Sequence, residues 1–193
     1  MRIGAGKLRG RKFTVVDVDG LRPTSSRVRE ALFSILHSNG CDMSAAKVLD
    51  LFAGSGLLSI EALSRGASLV TSVECNGDAV GAMRRVKDSW QLEDWVIHQG
   101  TLPQILKGTL SQHGFDVIIA DPPYLKGLSV QVPTWLDAAS ISCRILVIEE
   151  SAKAGDMAWP IGWQCLQVRK YGDTCLHFLS RMSNDQKGDH DGA

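Results

Sequence analysis

The sequence has no long apolar run, few cysteines and no net charge. Nowhere among its 193 residues is there a run of the roughly 18 to 20 apolar residues that a membrane-spanning helix needs. The first residues contain no apolar core that would indicate a signal peptide. The length suits a single domain, and we expect a cytoplasmic protein with no membrane contact.

Cysteine and histidine are too scattered for a metal or disulfide framework. The five cysteines are odd in number and form no CxxC pair, which argues against disulfides or zinc and favours reduced thiols. The histidines have no ligand spacing, so we expect no metal. The sequence also lacks the GxxxxGK[ST] motif, which disfavours a nucleoside triphosphate as ligand.

Basic residues are concentrated in the N-terminal segment, although the net charge of the chain is zero. Residues 1–30 contain eight lysines and arginines against three acidic residues, a net charge of +5, and residues 31–193 carry −5. A basic segment on an acidic body favours a partner with phosphates, although a solvated terminal segment explains the charge equally well.

Apolar segments of strand length alternate with helical patterns from residue 47 onwards. The sequence predicts strands at 47–52, 69–74, 95–98, 115–120, 144–148, 164–169 and 175–179, and helices at 25–37, 57–64, 78–90, 103–111 and 132–140. This alternation predicts an α/β fold with a mostly parallel sheet, covered by helices on both faces and ending in an antiparallel hairpin.

No linker divides the chain. We expect one domain, with a basic N-terminal arm and helix at 1–40, a core at 41–182 and a disordered polar tail at 183–193.

A glycine-containing turn follows the first strand of the alternating region. Gly54 and Gly56 allow a tight turn and close approach to a ligand, while Ser59 replaces the third glycine of a dinucleotide-binding fingerprint. Glu74 ends the next strand, where a carboxylate can accept ribose hydroxyls. Each feature alone is as often structural as functional, but together they indicate a nucleoside cofactor. Asp50 and the missing third glycine favour S-adenosylmethionine over NAD.

The tetrapeptide Asp121-Pro122-Pro123-Tyr124 ends another apolar strand. Two prolines fix a rigid turn whose carbonyl groups can accept hydrogen bonds. The Asp121 carboxylate and the Pro122 carbonyl can accept both hydrogens of an exocyclic amine and orient its lone pair toward a methyl donor. Tyr124 can stack on a base that has left its helix or loop. A tight turn with no function is the alternative, which the neighbouring glycine turn disfavours.

Several segments together make a more specific pattern than any one of them. They are 20–24, 27–33, 50–56, 61–67 and 121–124, with the basic start and Tyr171-Gly172-Asp173-Thr174. In these segments the chain resembles the RsmD family, the bacterial small-subunit (16S) rRNA guanine-N2 methyltransferases, over about residues 1–181. The resemblance implies a Rossmann-like class I S-adenosylmethionine-dependent methyltransferase with a seven-stranded sheet. It implies a guanine of 16S rRNA as substrate, presented by a small ribosomal subunit or its assembly intermediate, and we expect the enzyme to be a monomer.

The resemblance and the residue patterns together give the expected site. The catalytic candidates are Asp121, Pro122, Pro123 and Tyr124. The cofactor-binding candidates are Asp50, Phe52, Ala53, Gly54, Ser55, Gly56, Glu74, Thr101, Leu102 and Asp121. The RNA-binding candidates are Arg9, Arg11, Lys12, Arg22, Arg27 and Arg29. Many related enzymes have Asp or Asn where this chain has Thr101, so a hydroxyl or backbone groups would contact the adenine here.

Other functions fit parts of the pattern. A DNA amino-methyltransferase acting on adenine N6 or cytosine N4 uses the same tetrapeptide, but usually needs a larger target-recognition region. A nucleotide-binding oxidoreductase, or an RNA-binding assembly factor with a vestigial site, is disfavoured by the joint presence of the glycine turn, Glu74 and the tetrapeptide. Glu149 and Glu150 end a strand, where they could border the site, but we expect a solvated strand end instead.

Overall fold

The structure, a computed structural model, describes residues 1–14 and 25–182. Its helices are α1 (Ser26–Ser38), α2 (Leu57–Ser64), α3 (Gly77–Trp90), α4 (Gln104–Lys107) and α5 (Val132–Ala138). Its strands are β1 (Lys47–Leu51), β2 (Leu69–Glu74), β3 (Trp95–Gln99), β4 (Gly114–Ala120), β5 (Ser142–Ser151), β6 (Trp163–Tyr171) and β7 (Thr174–Arg181). Arg22 and the tail expected at 183–193 lie outside the described residues.

All seven strands form one sheet in the order β3-β2-β1-β4-β5-β7-β6. The first five strands along the chain are parallel, and β7 is antiparallel to both β5 and β6. The α/β fold with a parallel sheet and a C-terminal antiparallel hairpin is therefore confirmed. Apolar side chains fill both faces, with α1, α2 and α3 packed on one and α4 and α5 on the other.

The strand order reverses between β1 and β4, which are neighbours in the sheet although two strands separate them in the chain. The chain passes from β1 outward to β2 and β3, and then returns to start β4 on the opposite side of β1. In such sheets a crevice opens beyond the carboxyl ends of the strands at the reversal. The glycine turn follows β1 and the Asp121 tetrapeptide follows β4, so both lie at this crevice.

The N-terminal arm, residues 1–14, is held against α2 by one buried carboxylate. The side chain of Glu61 has no exposed surface, and its two oxygens accept the backbone N–H groups of Gly4 at 2.9 Å and Ala5 at 3.0 Å. Arg29 on α1 and Arg65 on α2 pair with the same carboxylate at 3.1 and 3.0 Å. Glu61 therefore connects three segments: the arm, α1 and α2.

The end of α2 gives the arm a second attachment. Leu8 donates its backbone N–H to the Ser64 hydroxyl at 2.9 Å, and Lys7 donates to the Ser64 carbonyl at 2.7 Å. Gly6 adopts a φ of +75°, and a Cβ added there would lie 1.8 Å from the Ser64 carbonyl oxygen. Only glycine fits this contact. The arm also buries Ile3, Leu8 and Phe13 in the same apolar cluster as the helices.

The predicted helix at 103–111 is wrong in its length, because α4 ends at Lys107 and Gly108 follows it. The strand predicted at 144–148 extends from Ser142 to Ser151, since β7 pairs with it as far as Ser151. The polar residues at that end have partners in neighbouring loops, which composition alone does not reveal. Within the arm, Lys12 forms an isolated antiparallel bridge with Arg2.

Replacing Glu61 by alanine should destabilise the fold strongly. The change removes the acceptor of two backbone N–H groups and leaves Arg29 buried without its counter-charge, a loss of about 3–5 kcal/mol. Urea unfolding of wild type and variant measures this difference.

The matched control is Glu30→Ala, which removes an exposed carboxylate from α1 and should change the free energy of unfolding by less than about 0.5 kcal/mol. Similar losses in both variants would contradict the central role of Glu61.

Candidate active site

The candidate residues of three strand ends meet at the crevice. Gly54, in the turn after β1, donates its N–H to the Glu74 carboxylate at the end of β2, at 2.8 Å. Asp121, after β4, donates its N–H to the carbonyl of Leu51 on β1, at 3.3 Å. The structure therefore brings together the glycine turn, Glu74 and the first residue of the tetrapeptide.

Three alternate residues of the glycine turn have a positive φ angle. Phe52, Gly54 and Gly56 have φ angles of 62°, 53° and 73°. A Cβ at Gly56 would lie 2.6 Å from the Trp95 ring, so this glycine is required for packing against β3. A non-glycine residue in the left-handed region, such as Phe52, stores strain, and such strain concentrates at ligand sites.

Ser59, at the position of the missing third glycine, belongs to a buried hydrogen-bond chain. Its hydroxyl donates to the Asp50 carboxylate and lies 2.6 Å from the hydroxyl of Ser72 on β2. The indole N–H of Trp95 donates to Ser72 at 2.7 Å. The chain thus connects α2, β1, β2 and β3 beneath the glycine turn, which explains why this position carries a hydroxyl.

The structure revises the expected role of Asp50. Its side chain is buried beneath the turn, with a relative exposure of 1%. Burial raises the pKa of Asp50 from its ordinary value of 3.8 to about 7, against the lowering effect of the Ser59 hydrogen bond, and the charge of Glu74 raises it further. A group so placed supports the turn from below rather than contacting a ligand in the crevice.

Glu74 is also mostly buried, but at the mouth of the crevice. One carboxylate oxygen accepts the N–H of Gly54 and the other accepts the N–H of Asn76, each at 2.8 Å. These backbone donors hold the carboxylate in place. Each oxygen has a second lone pair that can accept a hydroxyl.

Thr101 and Leu102 follow the end of β3, beside Glu74. The N–H of Gly100 donates to the Glu74 carbonyl at 3.0 Å, which fixes this segment next to β2. Thr101 is exposed and its hydroxyl donates to the Gln104 side chain at 3.3 Å, while Leu102 is half-buried. A hydroxyl and an apolar side chain are therefore both available next to the carboxylate.

The four residues of the tetrapeptide differ in their exposure. Pro122 is buried, Asp121 and Tyr124 are half-buried, and Pro123 is exposed. The Tyr124 hydroxyl donates to Glu149 at 2.5 Å and lies 3.1 Å from the Thr174 hydroxyl. Burial, and then the hydrogen bond to Glu149, raise the pKa of Tyr124 well above its usual range. The ring is thus tethered to β5 and to the start of β7.

The expectation that Glu149 and Glu150 are solvated is wrong. Their relative exposures are 4% and 2%. Glu149 accepts from Tyr124, whereas Glu150 accepts the N–H of Leu125 at 3.2 Å and the hydroxyl of Ser129 at 2.7 Å. Sequence reasoning considered a place at the border of the site for these two residues but preferred the solvated alternative. Their position at the end of an apolar strand neighbouring β4 was the available signal.

Of the two RNA-binding candidates on α1, Arg27 is exposed near the crevice, whereas Arg29 is buried. Arg29 on α1 contacts Glu61, and Phe33, one turn later, lies against Arg65, so α1 and α2 run in the same direction. Because α2 starts at the glycine turn, the exposed Arg27 in the first turn of α1 lies at the crevice end. The prediction that Arg29 contacts RNA is wrong, because its side chain is buried and paired with Glu61.

The other basic candidates are exposed but lie farther from the crevice. Arg9, Arg11 and Lys12 are exposed, and the Arg11 guanidinium sits 4.0 Å above the ring of Trp90. Trp90 ends α3, at the side of the sheet opposite to the strand ends that form the crevice. The positive charges of Arg9, Arg11 and Lys12 therefore lie away from the crevice.

No helix in the described parts of the chain is both long and apolar enough to span a bilayer. Within residues 1–14 and 25–182, no three His, Cys, Asp or Glu side chains are grouped so that they could bind a metal ion.

Comparison with known families gives a match over nearly the whole chain. The model of a family described as "Conserved hypothetical protein 95" matches residues 1–180. A protein of Haemophilus influenzae named ribosomal RNA small subunit methyltransferase D is 35% identical over 181 residues, covering 89% of each chain. An Escherichia coli protein of the same name is 31% identical over 193 residues, covering 96% of this chain and 92% of its own.

Solved structures give the same likeness. A putative methyltransferase from Escherichia coli superposes with a TM-score of 0.81 at 29% identity, covering 94% of this chain and 97% of its own. A putative methylase from Haemophilus influenzae gives a TM-score of 0.77 at 27% identity, covering 94% and 98%. Both likenesses confirm the methyltransferase fold that the sequence pattern predicted.

Neutralising Asp50 should change how stability depends on pH. Because the folded-state pKa is raised, the folded protein must hold a buried carboxylate above pH 7, and stability falls as the pH rises from about 4 to about 7. The Asp50→Asn variant lacks this loss, so its stability relative to wild type should rise by about 2.5 kcal/mol between about pH 5 and pH 8.

Urea unfolding of both proteins across that pH range measures the difference in slope. Asp88→Asn, which neutralises an exposed carboxylate on α3, should keep the wild-type slope. Parallel curves for wild type and Asp50→Asn would contradict the raised pKa.

Proposed function

Since this chain belongs to the RsmD family of methyltransferases, we propose that it transfers a methyl group from S-adenosylmethionine to the exocyclic N2 amine of a guanine in small-subunit rRNA. One observation carries the proposal. The glycine turn, which suits a cofactor, and the Asp121 tetrapeptide, which can accept the hydrogens of an amine, lie at the same crevice. The hydrogen bond from the Asp121 N–H to the Leu51 carbonyl joins them. The names of the Haemophilus and Escherichia relatives support rRNA as the substrate.

The residues at the crevice fit the methyl donor. The tight turn through Gly54 leaves room for close approach to its amino-acid part, and Glu74 retains acceptor capacity for two ribose hydroxyls. Thr101 and Leu102 stand where the adenine would lie. When bound, this cofactor supplies an electrophilic methyl group, and every other requirement of the reaction falls to the chain. Phe52, Ala53, Ser55 and Gly56 shape the rest of the turn, above Asp50.

The chain's main task in our proposal is to orient a weak nucleophile. The guanine amine has its lone pair delocalised into the ring, so acceptors on its two hydrogens raise the electron density at nitrogen. Asp121 and the Pro122 carbonyl would accept these hydrogens and aim the nitrogen along the line of displacement. Formation of the N–C bond and loss of the donor's S–C bond would require the amine to lose one proton, and the Asp121 carboxylate, which in this proposal already accepts one of the amine hydrogens, would take it.

The base must leave its stack to react. Pro122 is buried and Asp121 is half-buried, so the amine of a stacked base would not reach them. A base turned out of the RNA can enter the crevice with its face against Tyr124. The tether of the Tyr124 hydroxyl to Glu149 holds the ring ready without requiring it to reorder on binding.

RNA contacts would come from exposed basic residues in two segments, α1 and the arm. Arg27 lies at the crevice end of α1, and Arg9, Arg11 and Lys12 continue the basic surface along the arm. Contacts to phosphates position an RNA without reading its sequence. We propose a small ribosomal subunit or its assembly intermediate as the particle that presents the target.

Methyl transfer from labelled S-adenosylmethionine tests the proposal. Small subunits lacking guanine-N2 methylation, naked rRNA and duplex DNA are offered in parallel, and the modified nucleoside is identified by mass spectrometry. We expect N2-methylguanosine from subunits or rRNA. Label only in DNA, as N6-methyladenine or N4-methylcytosine, would identify a DNA amino-methyltransferase instead, and no label at all would overturn the proposal.

Removing the Asp121 carboxylate should abolish most turnover and leave donor binding nearly unchanged. The Asp121→Ala variant loses one acceptor of the amine, and we expect kcat to fall by about 100-fold or more. Calorimetry with S-adenosylhomocysteine measures the donor site separately. Asp156→Ala, which removes an exposed carboxylate elsewhere, should retain wild-type kcat, and a fully active Asp121→Ala protein would refute the proposed chemistry.

Neutralising the arm should weaken RNA binding and flatten its dependence on salt. Each lost phosphate contact lowers the slope of log K against log salt by about 0.7 to 0.9, so replacing Arg9, Arg11 and Lys12 with glutamine should lower it by about 2 to 3. The matched control replaces Arg84, Arg85 and Lys87 on α3, with the same change in charge. Equal effects of both triple variants would show that only net charge matters.

A further inference from the structure

We propose that Leu125 is a wedge that enters the base stack of the RNA and fills the space vacated by the target base. The proposal rests on the proposed function, because it concerns how the acceptor base reaches the Asp121 tetrapeptide. It assigns a substrate contact to a residue that sequence reasoning did not single out.

Leu125 is an apolar side chain exposed at the rim of the crevice. Its relative exposure is 62%, and it directly follows Tyr124. The other strongly exposed large apolar residues in the described parts of the chain are Val96, Ile161, Leu166 and Val168. Each of these follows or belongs to a strand other than β4, so only Leu125 is attached to the tetrapeptide. Its exposure leaves apolar surface in water directly beside the tetrapeptide.

The backbone of Leu125 is held in an unfavourable conformation. Its φ angle is +58°, in the left-handed region that favours glycine or asparagine. The N–H of Leu125 donates to Glu150, whose carboxylate is fixed in turn by the Ser129 hydroxyl and the Ser151 N–H, both at 2.7 Å. A buried carboxylate with three donors thus keeps a strained backbone and an exposed leucine in one position. Strained backbone of this kind also occurs at ligand sites, and here it fixes an exposed apolar side chain directly after the tetrapeptide.

The surroundings of Leu125 suit a nucleic acid. Lys126, the next residue, is exposed, and so is Lys153 in the turn after β5. That turn is joined to the β6–β7 connection through the Ala152 N–H and the Asp173 carbonyl at 2.8 Å. Apolar wedges that unstack bases are accompanied by basic side chains that hold the flanking phosphates. The partner of Leu125 in this proposal is therefore the RNA strand on either side of the target base.

A wedge would also offset the free energy that is lost when the target base leaves the stack. A base that leaves the stack exposes the faces of both neighbours to water, and the stack tends to close again behind it. An apolar side chain inserted at that point covers these faces and keeps the base in the crevice. Leucine is long enough to do so, and its fixed backbone means that little freedom is lost on insertion.

The test compares Leu125→Ala with Leu125→Met in the labelled methyl-transfer assay. On small subunits lacking guanine-N2 methylation, kcat/KM of the alanine variant should fall by about tenfold or more, as expected when unstacking is no longer compensated. Methionine preserves a long apolar side chain and should stay within about threefold of wild type. Ile161→Ala, at a residue with 99% exposure, is the matched control and should be fully active.

Two further measurements separate a wedge from a structural role. Affinity for S-adenosylhomocysteine should be unchanged in Leu125→Ala. Leu125→Gly should raise the midpoint of urea unfolding, because glycine relieves the positive φ, while lowering kcat/KM as much as alanine does. A lower midpoint in the glycine variant would show that Leu125 serves stability and would overturn the proposal.

The remaining outcomes are also decisive. Wild-type activity in both Leu125→Ala and Leu125→Gly would refute the wedge and leave the proposed function intact. A loss seen with small subunits but not with naked rRNA would mean that Leu125 contacts a ribosomal protein instead of the base stack, which also refutes it. An inactive wild-type protein on every RNA would refute the proposed function itself.

Discussion

The attachment of the arm to the core depends on one buried carboxylate. Glu61 neutralises Arg29 and Arg65 and accepts two backbone N–H groups of the arm, so four groups would lose their partner if it were absent. An unpaired buried charge costs far more than an exposed one. The carboxylate thus fixes α1 and the arm relative to α2, and through α2 relative to the glycine turn. The position of Arg27 at the crevice follows from this contact together with that of Phe33 against Arg65.

A second set of contacts makes the crevice rigid before any ligand enters. The chain of Trp95, Ser72, Ser59 and Asp50 supports the glycine turn from below, and Glu149 and Glu150 support the tetrapeptide loop from the side. Groups held in place beforehand do not have to be ordered during reaction, which is the main source of catalytic power when the chemistry is largely positioning.

Hydrophobic periodicity and glycine positions predicted the bounds of those helices and strands that begin and end at local signals. The bounds of α2 and β2 agree with the sequence expectation because glycines flank α2 and an acidic residue ends β2. The helix at 103–111 was too long, since a glycine inside a helical pattern gives no certain end. Arg29, Glu149 and Glu150 were misjudged because their side-chain partners, and the Leu125 N–H that Glu150 accepts, lie 21 or more residues away in the chain. Burial of a charge is decided by such distant partners, and sequence spacing does not contain them.

The tether of Tyr124 joins parts of the sheet that are far apart in the chain. Its hydroxyl contacts Glu149 on β5 and Thr174 at the start of β7, so the closing hairpin helps to position the ring of the tetrapeptide. A substitution in the hairpin can therefore shift the Tyr124 ring while all four residues of the tetrapeptide stay the same. The geometry of this loop is thus encoded partly in a stretch of sequence that lies 50 residues downstream of it.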